Sequence, residues 1–258
     1  MDSIMSNRNE RSKRNGTGMV SRALLKEAVD ILPTLPDTNN ILEIGEFIQE
    51  NLPFNALSTR RRYRQYIITW LFPQGVVDRE IEEFAKIFPN TQDLRDVCLY
   101  RFCCAYPLIF DIFHDIFIPK IGYGKVPRKL VHEYLKNLFP DHSPGRDGGR
   151  GFLEALTGAQ VMKSKGGILT YHYREVSIPA LAFILHSEFP KPGMYDISKV
   201  EDSTVFQPLL WQPDGILSGL YTLRNRNLIA KVSVIDTVRQ FTTKYSLNEV
   251  IEKLKNLG

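Results

Sequence analysis

From Thr91 to roughly Phe117 the chain is apolar on nearly every face of a helical wheel. A helix without a polar face has to be surrounded, so this stretch reads as the central core helix, interrupted near Pro107. It holds all three cysteines, Cys98, Cys103 and Cys104, among Leu99, Tyr100, Phe102 and Tyr106. An odd count in apolar company points to buried free thiols and a reducing cytoplasm. The neighbouring Asp111, His114 and Asp115 lack a second ligand pair at metal-binding spacing and read as core and surface residues.

Amphipathic segments stand on either side. Ser21 to Leu32 reads as a short helix closed by Pro33 and Pro36, and Asn40 to Asn51 as a second with Ile41, Ile44, Phe47 and Ile48 inward. Asn55 to Phe72 is a third, with Ser58 and Thr59 expected as its N-cap and Pro73-Gln74-Gly75 as its stop. Tyr63, Tyr66, Ile67, Trp70 and Leu71 share its apolar face. Arg61, Arg62, Arg64 and Gln65 fall opposite, with Arg60 at the edge. A helix N-terminus is already partly positive, so arginines in its first turns are disfavoured unless an anion such as phosphate sits there. The alternative is a solvated face paired with acids such as Glu46 or Glu50. Two helices and then a basic helix is the order of a helix-turn-helix unit. Asp78 to Phe88 adds a further helix.

The second half restarts after the turn-rich link Pro119 to Gly124. A helix is expected from Pro127 to Phe139, with Pro127 at its first position. The loop Asp141 to Gly151, carrying Arg146 and Arg150, is glycine-rich but lacks the lysine of a phosphate-binding P-loop, so it reads as a flexible turn. Phe152 to Lys163 reads as a helix stopped by Lys165-Gly166-Gly167, and Ile168 to Arg174 as a strand opening a wing. Ser177 caps a helix from Ile178 to Glu188. Beyond Pro190 come segments at Val205–Trp211 and Pro213–Arg224, a hairpin of Leu228–Ile235 with Val238–Thr242, and a last helix capped by Ser246.

The expected organisation is a disordered basic tail over 1–18 and a helical, helix-turn-helix-like domain over 19–120. A winged-helix-like α+β domain over 121–189 and a C-terminal α/β-hairpin extension over 190–258 follow. The fold class is mainly α. Net charge is +4 and the isoelectric point near 8.9, which permits a polyanionic partner without demanding one. No window is apolar enough for a membrane span, and the usual hydrolase, metalloprotease and nucleotide-binding motifs are missing. No catalytic residue, metal or cofactor is therefore expected.

In pattern and order, Asn51 to Leu185 resembles the BrxA family of bacterial BREX (bacteriophage exclusion) defence systems. The similarity lies in the basic helix Leu57 to Phe72 and in the segment Tyr106-Pro107-Leu108-Ile109-Phe110-Asp111. It continues through Pro127-Arg128-Lys129 before an amphipathic helix and the helix and strand pair over Phe152 to Tyr173. The chain departs from the family in its basic N-terminal tail and in the region after Pro190. The resemblance implies a non-enzymatic DNA-binding accessory of phage defence, with other defence proteins as partners. On this reading Arg60, Arg61, Arg62 and Arg64 hold duplex phosphates and Gln65 contacts a base. Arg146, Arg150, Lys163, Lys165 and Arg174 form a second patch. The rival readings are a protein–protein scaffold and a winged-helix transcriptional regulator.

Overall fold

The computed structural model describes residues 19–140, 148–235 and 238–256. The tail over 1–18 and Arg146 lie outside these. The chain is mainly helical, 61% helix against 11% strand, with two small three-stranded antiparallel sheets.

The first helices are α1 (Leu25–Ile31), α2 (Ile41–Asn51), α3 (Leu57–Leu71), α4 (Arg79–Ile87) and α5 (Gln92–Ala105). Helix α1 starts later than the pattern suggests because Leu24, fully buried, is held in the left-handed region at φ 53°, where a helix cannot continue backwards. Side chains cap the next helices as expected of their types: Asn40 for α2, Asp78 for α4 and Thr91 for α5. Helix α3 differs. Its N-cap is Ala56, whose carbonyl accepts from the Arg60 N–H (3.1 Å), so Ser58 and Thr59 fall inside the first turn and cap nothing.

Helix α5 is the core helix: α1, α3, α4 and the later helices α8 (Gly148–Gly158) and α9 (Ile178–Glu188) all pack on it. The apolar face of α3 meets it through Trp70, edge-on to Phe102 at 6.0 Å, and Phe102 in turn meets Phe152 at 6.3 Å. Tyr63, Ile67, Trp70 and Leu71 are buried and Tyr66 half-buried. Pro107 marks the expected interruption, where the axis turns by 106° into α6 (Leu108–Ile112), a π-helical turn (Phe113–Phe117) and a 3-10 stretch (Ile118–Tyr123). Among the described residues no single helix is long and apolar enough to cross a membrane.

The first sheet is β1 (Lys125–Pro127), β2 (Lys163–Lys165) and β3 (Ile168–Thr170), in the order β1-β3-β2. Helix α7 (Arg128–Leu138) follows β1 directly, with Pro127 as its N-cap residue rather than its first helical residue. Gly166 and Gly167 make the two-residue β2–β3 turn with φ of 58° and 78°, the positive pair that a tight hairpin needs. β3 ends at Thr170; Arg174 only bridges in parallel to Trp211.

The C-terminal part holds β4 (Gly193–Asp196), α10 (Ser198–Glu201), a 3-10 stretch (Thr204–Leu209), α11 (Pro213–Asn225), β5 (Lys231–Ile235), β6 (Val238–Thr243) and α12 (Leu247–Lys255). Its sheet runs β4-β6-β5, with Ile235 opposite Val238. Ser246 and Glu249 form a full capping box at α12. Helix α12 returns to pack on α4 and α9, and Lys255 reaches Glu83 at 3.0 Å. Buried residues from Val20 to Leu254 form one connected core, running unbroken across positions 120–121 and 189–190 where composition suggests boundaries.

One buried charge joins these parts. Asp96 on α5 is fully enclosed and accepts from Arg174 Nη2 (2.8 Å), Gln92 Nε2 (2.8 Å) and Trp211 Nε1 (3.1 Å). Arg174 Nη2 also donates to the Leu209 carbonyl at 2.7 Å. The core helix, the segment after β3 and the segment before α11 are thus fastened at a single carboxylate.

Candidate nucleic-acid interface

Three basic features lie on the surface. The first is the start of α3, which has no side-chain cap and no acid in its first turn. Arg61 and Arg62 are exposed there, as is Gln65. Among the described residues Arg60, Arg61, Arg62 and Arg64 form no ion pair. Arg60 donates to the backbone carbonyl of Glu50 at 3.4 Å, and that carboxylate does not pair with it. The Nε atoms of Arg60 and Arg64 are buried without a partner. Arg64 is laid along α2, where Gly45 leaves room for it. The pairing with Glu46 and Glu50 that would neutralise this face is not formed. Charge stays concentrated at the end of the helix where it is least favoured.

The second feature is the solvent face of the first sheet. Thr170 stands opposite Lys125 on one side and Lys163 on the other, and Lys165 lies opposite Ile168. Directly opposed residues point to the same face. Lys125, Lys163, Lys165 and Thr170 therefore share it, and all four are exposed. Lys125 is an addition that sequence could not supply, because only the β1–β3 register aligns it with Lys163.

The third is an open cleft of about 280 Å³ where the segment before α1, α7, α8 and β2 meet. Arg22, Arg128, Arg150, Glu154 and Ser164 line it. Arg22 grips Glu154 with both ends of its fork (2.7 and 3.0 Å) and donates to the Tyr63 hydroxyl (3.1 Å). The hydrogen bond and charge of Glu154 push the Arg22 pKa up. Arg22 and Arg62 both lie over the Tyr63 ring, at 5.1 and 5.4 Å, so α3 and the cleft adjoin through this tyrosine. Arg128 and Arg150 form no ion pair among the described residues. Burial, helped by the charge of Arg128, holds the His132 imidazole below its ordinary value.

Two sequence expectations are corrected here. Arg174 does not belong to a surface patch: its guanidinium is spent on Asp96 and the Leu209 carbonyl. Nor is Gly148-Gly149-Arg150-Gly151 a flexible turn, because it forms the first turn of α8. Its glycines are there for close packing. A Cβ on Gly151 would sit 2.1 Å from the Val20 carbonyl oxygen, and one on Gly149 would sit 3.0 Å from His132 Nδ1. Gly151→Ala should accordingly destabilise the protein by about 1–3 kcal/mol through overpacking. Thermal melting tests this, and a Gly151→Ala protein that melts with the wild type would restore the flexible turn. Of the expected second patch, Arg150, Lys163 and Lys165 remain as exposed cations around β2 and α8.

Comparison with protein-family models, with curated proteins and with solved structures finds no match to this chain. The functional reading accordingly rests on geometry and charge. Sequence reasoning passed over Arg22 and Arg128 as site residues. The one local signal was Arg128 at the start of a helix, the same mismatch of charge and dipole that draws attention to α3.

Proposed function

We propose that this protein binds duplex DNA through its phosphates, as a non-enzymatic accessory of a bacterial anti-phage system of the BrxA kind. The observation that carries the reading is the run of four arginines opening α3 with no carboxylate partner among the described residues. Phosphate oxygens would supply the missing acceptors, and the guanidinium fork suits them better than an ammonium would. The order β1-α7-α8-β2-β3, with its Gly166-Gly167 hairpin, supports reading residues 125–170 as a winged helix-turn-helix. The hairpin would be the wing, and its lysine face would follow the backbone beside it. The reading places the protein in the cytoplasm, where DNA is accessible and three cysteines that form no disulfide stay reduced.

The test is the salt dependence of binding to DNA of arbitrary sequence. Arg61→Ala with Arg62→Ala removes two exposed side chains, so the fold should melt unchanged. Each lost phosphate contact should make the log–log salt slope shallower by about 0.9, or roughly 1.8 for the pair. An unchanged slope removes α3 from the interface.

A protein–protein adaptor is the second reading, and one observation favours it. Val234, Ile235 and Val238 expose apolar side chains around the β5–β6 turn, at 42%, 66% and 52%. Excess bulk DNA would displace a duplex from the protein and leave such a protein complex intact.

A further inference from the structure

We propose that the cleft between Arg22, Arg128 and Arg150 is a binding site for a single phosphate group. This goes beyond the DNA reading, because a cleft of about 280 Å³ cannot admit a duplex but has room for a phosphate and part of the sugar bearing it. Three guanidiniums face one carboxylate there. Glu154 is already matched by Arg22 in a two-point ion pair, so Arg128 and Arg150 bring two positive charges with no counter-charge among the described residues. Arg128 Nε is buried without an acceptor. That nitrogen is closed off from solvent, so an anion in the cleft would meet the outer nitrogens of the guanidinium.

The surrounding groups fit the same ligand. Arg150 stands in the first turn of α8, where free backbone N–H groups favour negative charge. Ser164, exposed on β2 opposite Leu169, lies on the other face of the strand from Lys163 and Lys165 and lines the cleft. It can add a hydroxyl donor. Arg128 is held in place by its own backbone, its N–H donating to the Gly167 carbonyl at 2.8 Å, which fixes the first turn of α7 against the hairpin. Arg22 is fixed by Glu154 and Tyr63. The Arg22 guanidinium is thus held by its partners, and the backbone that carries Arg128 is fixed, before any ligand arrives, which lowers the ordering cost of binding. The site differs in kind from the open arginine face of α3, where side chains are free and contacts are those of a surface.

The phosphate could come from a nucleic-acid backbone or from a free phosphate ester, and the experiment separates the two. Full-length protein is titrated with pyrophosphate and with adenosine monophosphate at constant ionic strength, following its melting temperature. In parallel its affinity for a short duplex is measured. Wild type should be stabilised by both small ligands, with Arg61→Ala/Arg62→Ala responding like wild type. Arg150→Glu, at an exposed position, and Arg128→Gln should each weaken the response at least tenfold. The melting temperature without ligand, read in the same run, shows that each variant is folded. If the source is a DNA backbone, Arg150→Glu also weakens duplex binding and monophosphate competes with the duplex. If it is a free ester, duplex binding is unaffected by monophosphate. The absence of any small-ligand stabilisation in wild type, or an equal response in Arg150→Glu, overturns the site. Because the readout needs no DNA, that result leaves the α3 interface standing, and loss of the α3 salt effect leaves this site standing.

Discussion

Asp96→Ala should cost about 3–5 kcal/mol of stability, because it leaves the half-buried Arg174 charge without its counter-ion and empties an enclosed site. For a chain of this size each kcal/mol moves the melting temperature by roughly 2–4 °C. Three donors lose their acceptor at once: the Arg174 guanidinium, the Gln92 amide and the Trp211 indole. Two of them keep something, since Gln92 still reaches the Ala159 carbonyl at 2.9 Å and Arg174 the Leu209 carbonyl. Trp211 keeps nothing among the described residues. Arg174→Ala should be comparably damaging, since it strands the carboxylate, whereas replacing both by leucine should recover much of the loss. Salt-slope measurements on folded Arg174→Ala decide between the two roles for this arginine. A wild-type slope with a lowered melting temperature fits the ion pair. A wild-type melting temperature with a shallower slope would return Arg174 to the DNA surface.

This network also shows where the sequence stops being informative. Arg174 sits near Lys163 and Lys165 in the chain and looks like one of them, but its partner is 78 residues away, and no local pattern announces it. The glycines before Phe152 mislead for the same reason. Their composition is that of a loose turn, and only the approach of Val20 explains why side chains are excluded. What could be read was set by periodicity and by local chemistry. An all-apolar segment had to be central, and α5 is. The buried stripe on α3 followed from helical spacing and the bend from Pro107, whereas the helix expected to run from Phe152 to Lys163 ends at Gly158 and Lys163–Lys165 is a strand, so Gly166 and Gly167 turn a hairpin and do not stop a helix. Ser177 and Ser246 cap the helices they precede. The candidate site divided along the same line. Exposed arginines on one helix face were legible, whereas the cleft is assembled from Arg22, Arg128 and Arg150, which only tertiary packing brings together.

Trp70 joins the stability of the core to the shape of that cleft. Its side chain is fully buried and lies edge-on to Phe102, and its indole N–H donates to the Ala23 carbonyl at 2.9 Å. Removing so large a side chain should cost about 3–5 kcal/mol, as lost burial plus a cavity that the packed α5 face cannot fill. Trp70→Phe keeps most of the ring but leaves the Ala23 carbonyl without its donor, a cost of about 1–3 kcal/mol. The two variants should therefore melt in the order wild type, Trp70→Phe, Trp70→Ala. Ala23 immediately follows Arg22, so the same hydrogen bond ties down the segment that presents Arg22 to Glu154. At temperatures where both variants remain folded, duplex binding should keep its wild-type salt slope, because Arg61 and Arg62 stand on the exposed face of α3. Pyrophosphate stabilisation should weaken in both, because the segment holding Arg22 has lost its anchor. A Trp70→Ala protein that melts like wild type but fails to bind DNA would put the tryptophan on the binding face, with α3 turned the opposite way round against the core.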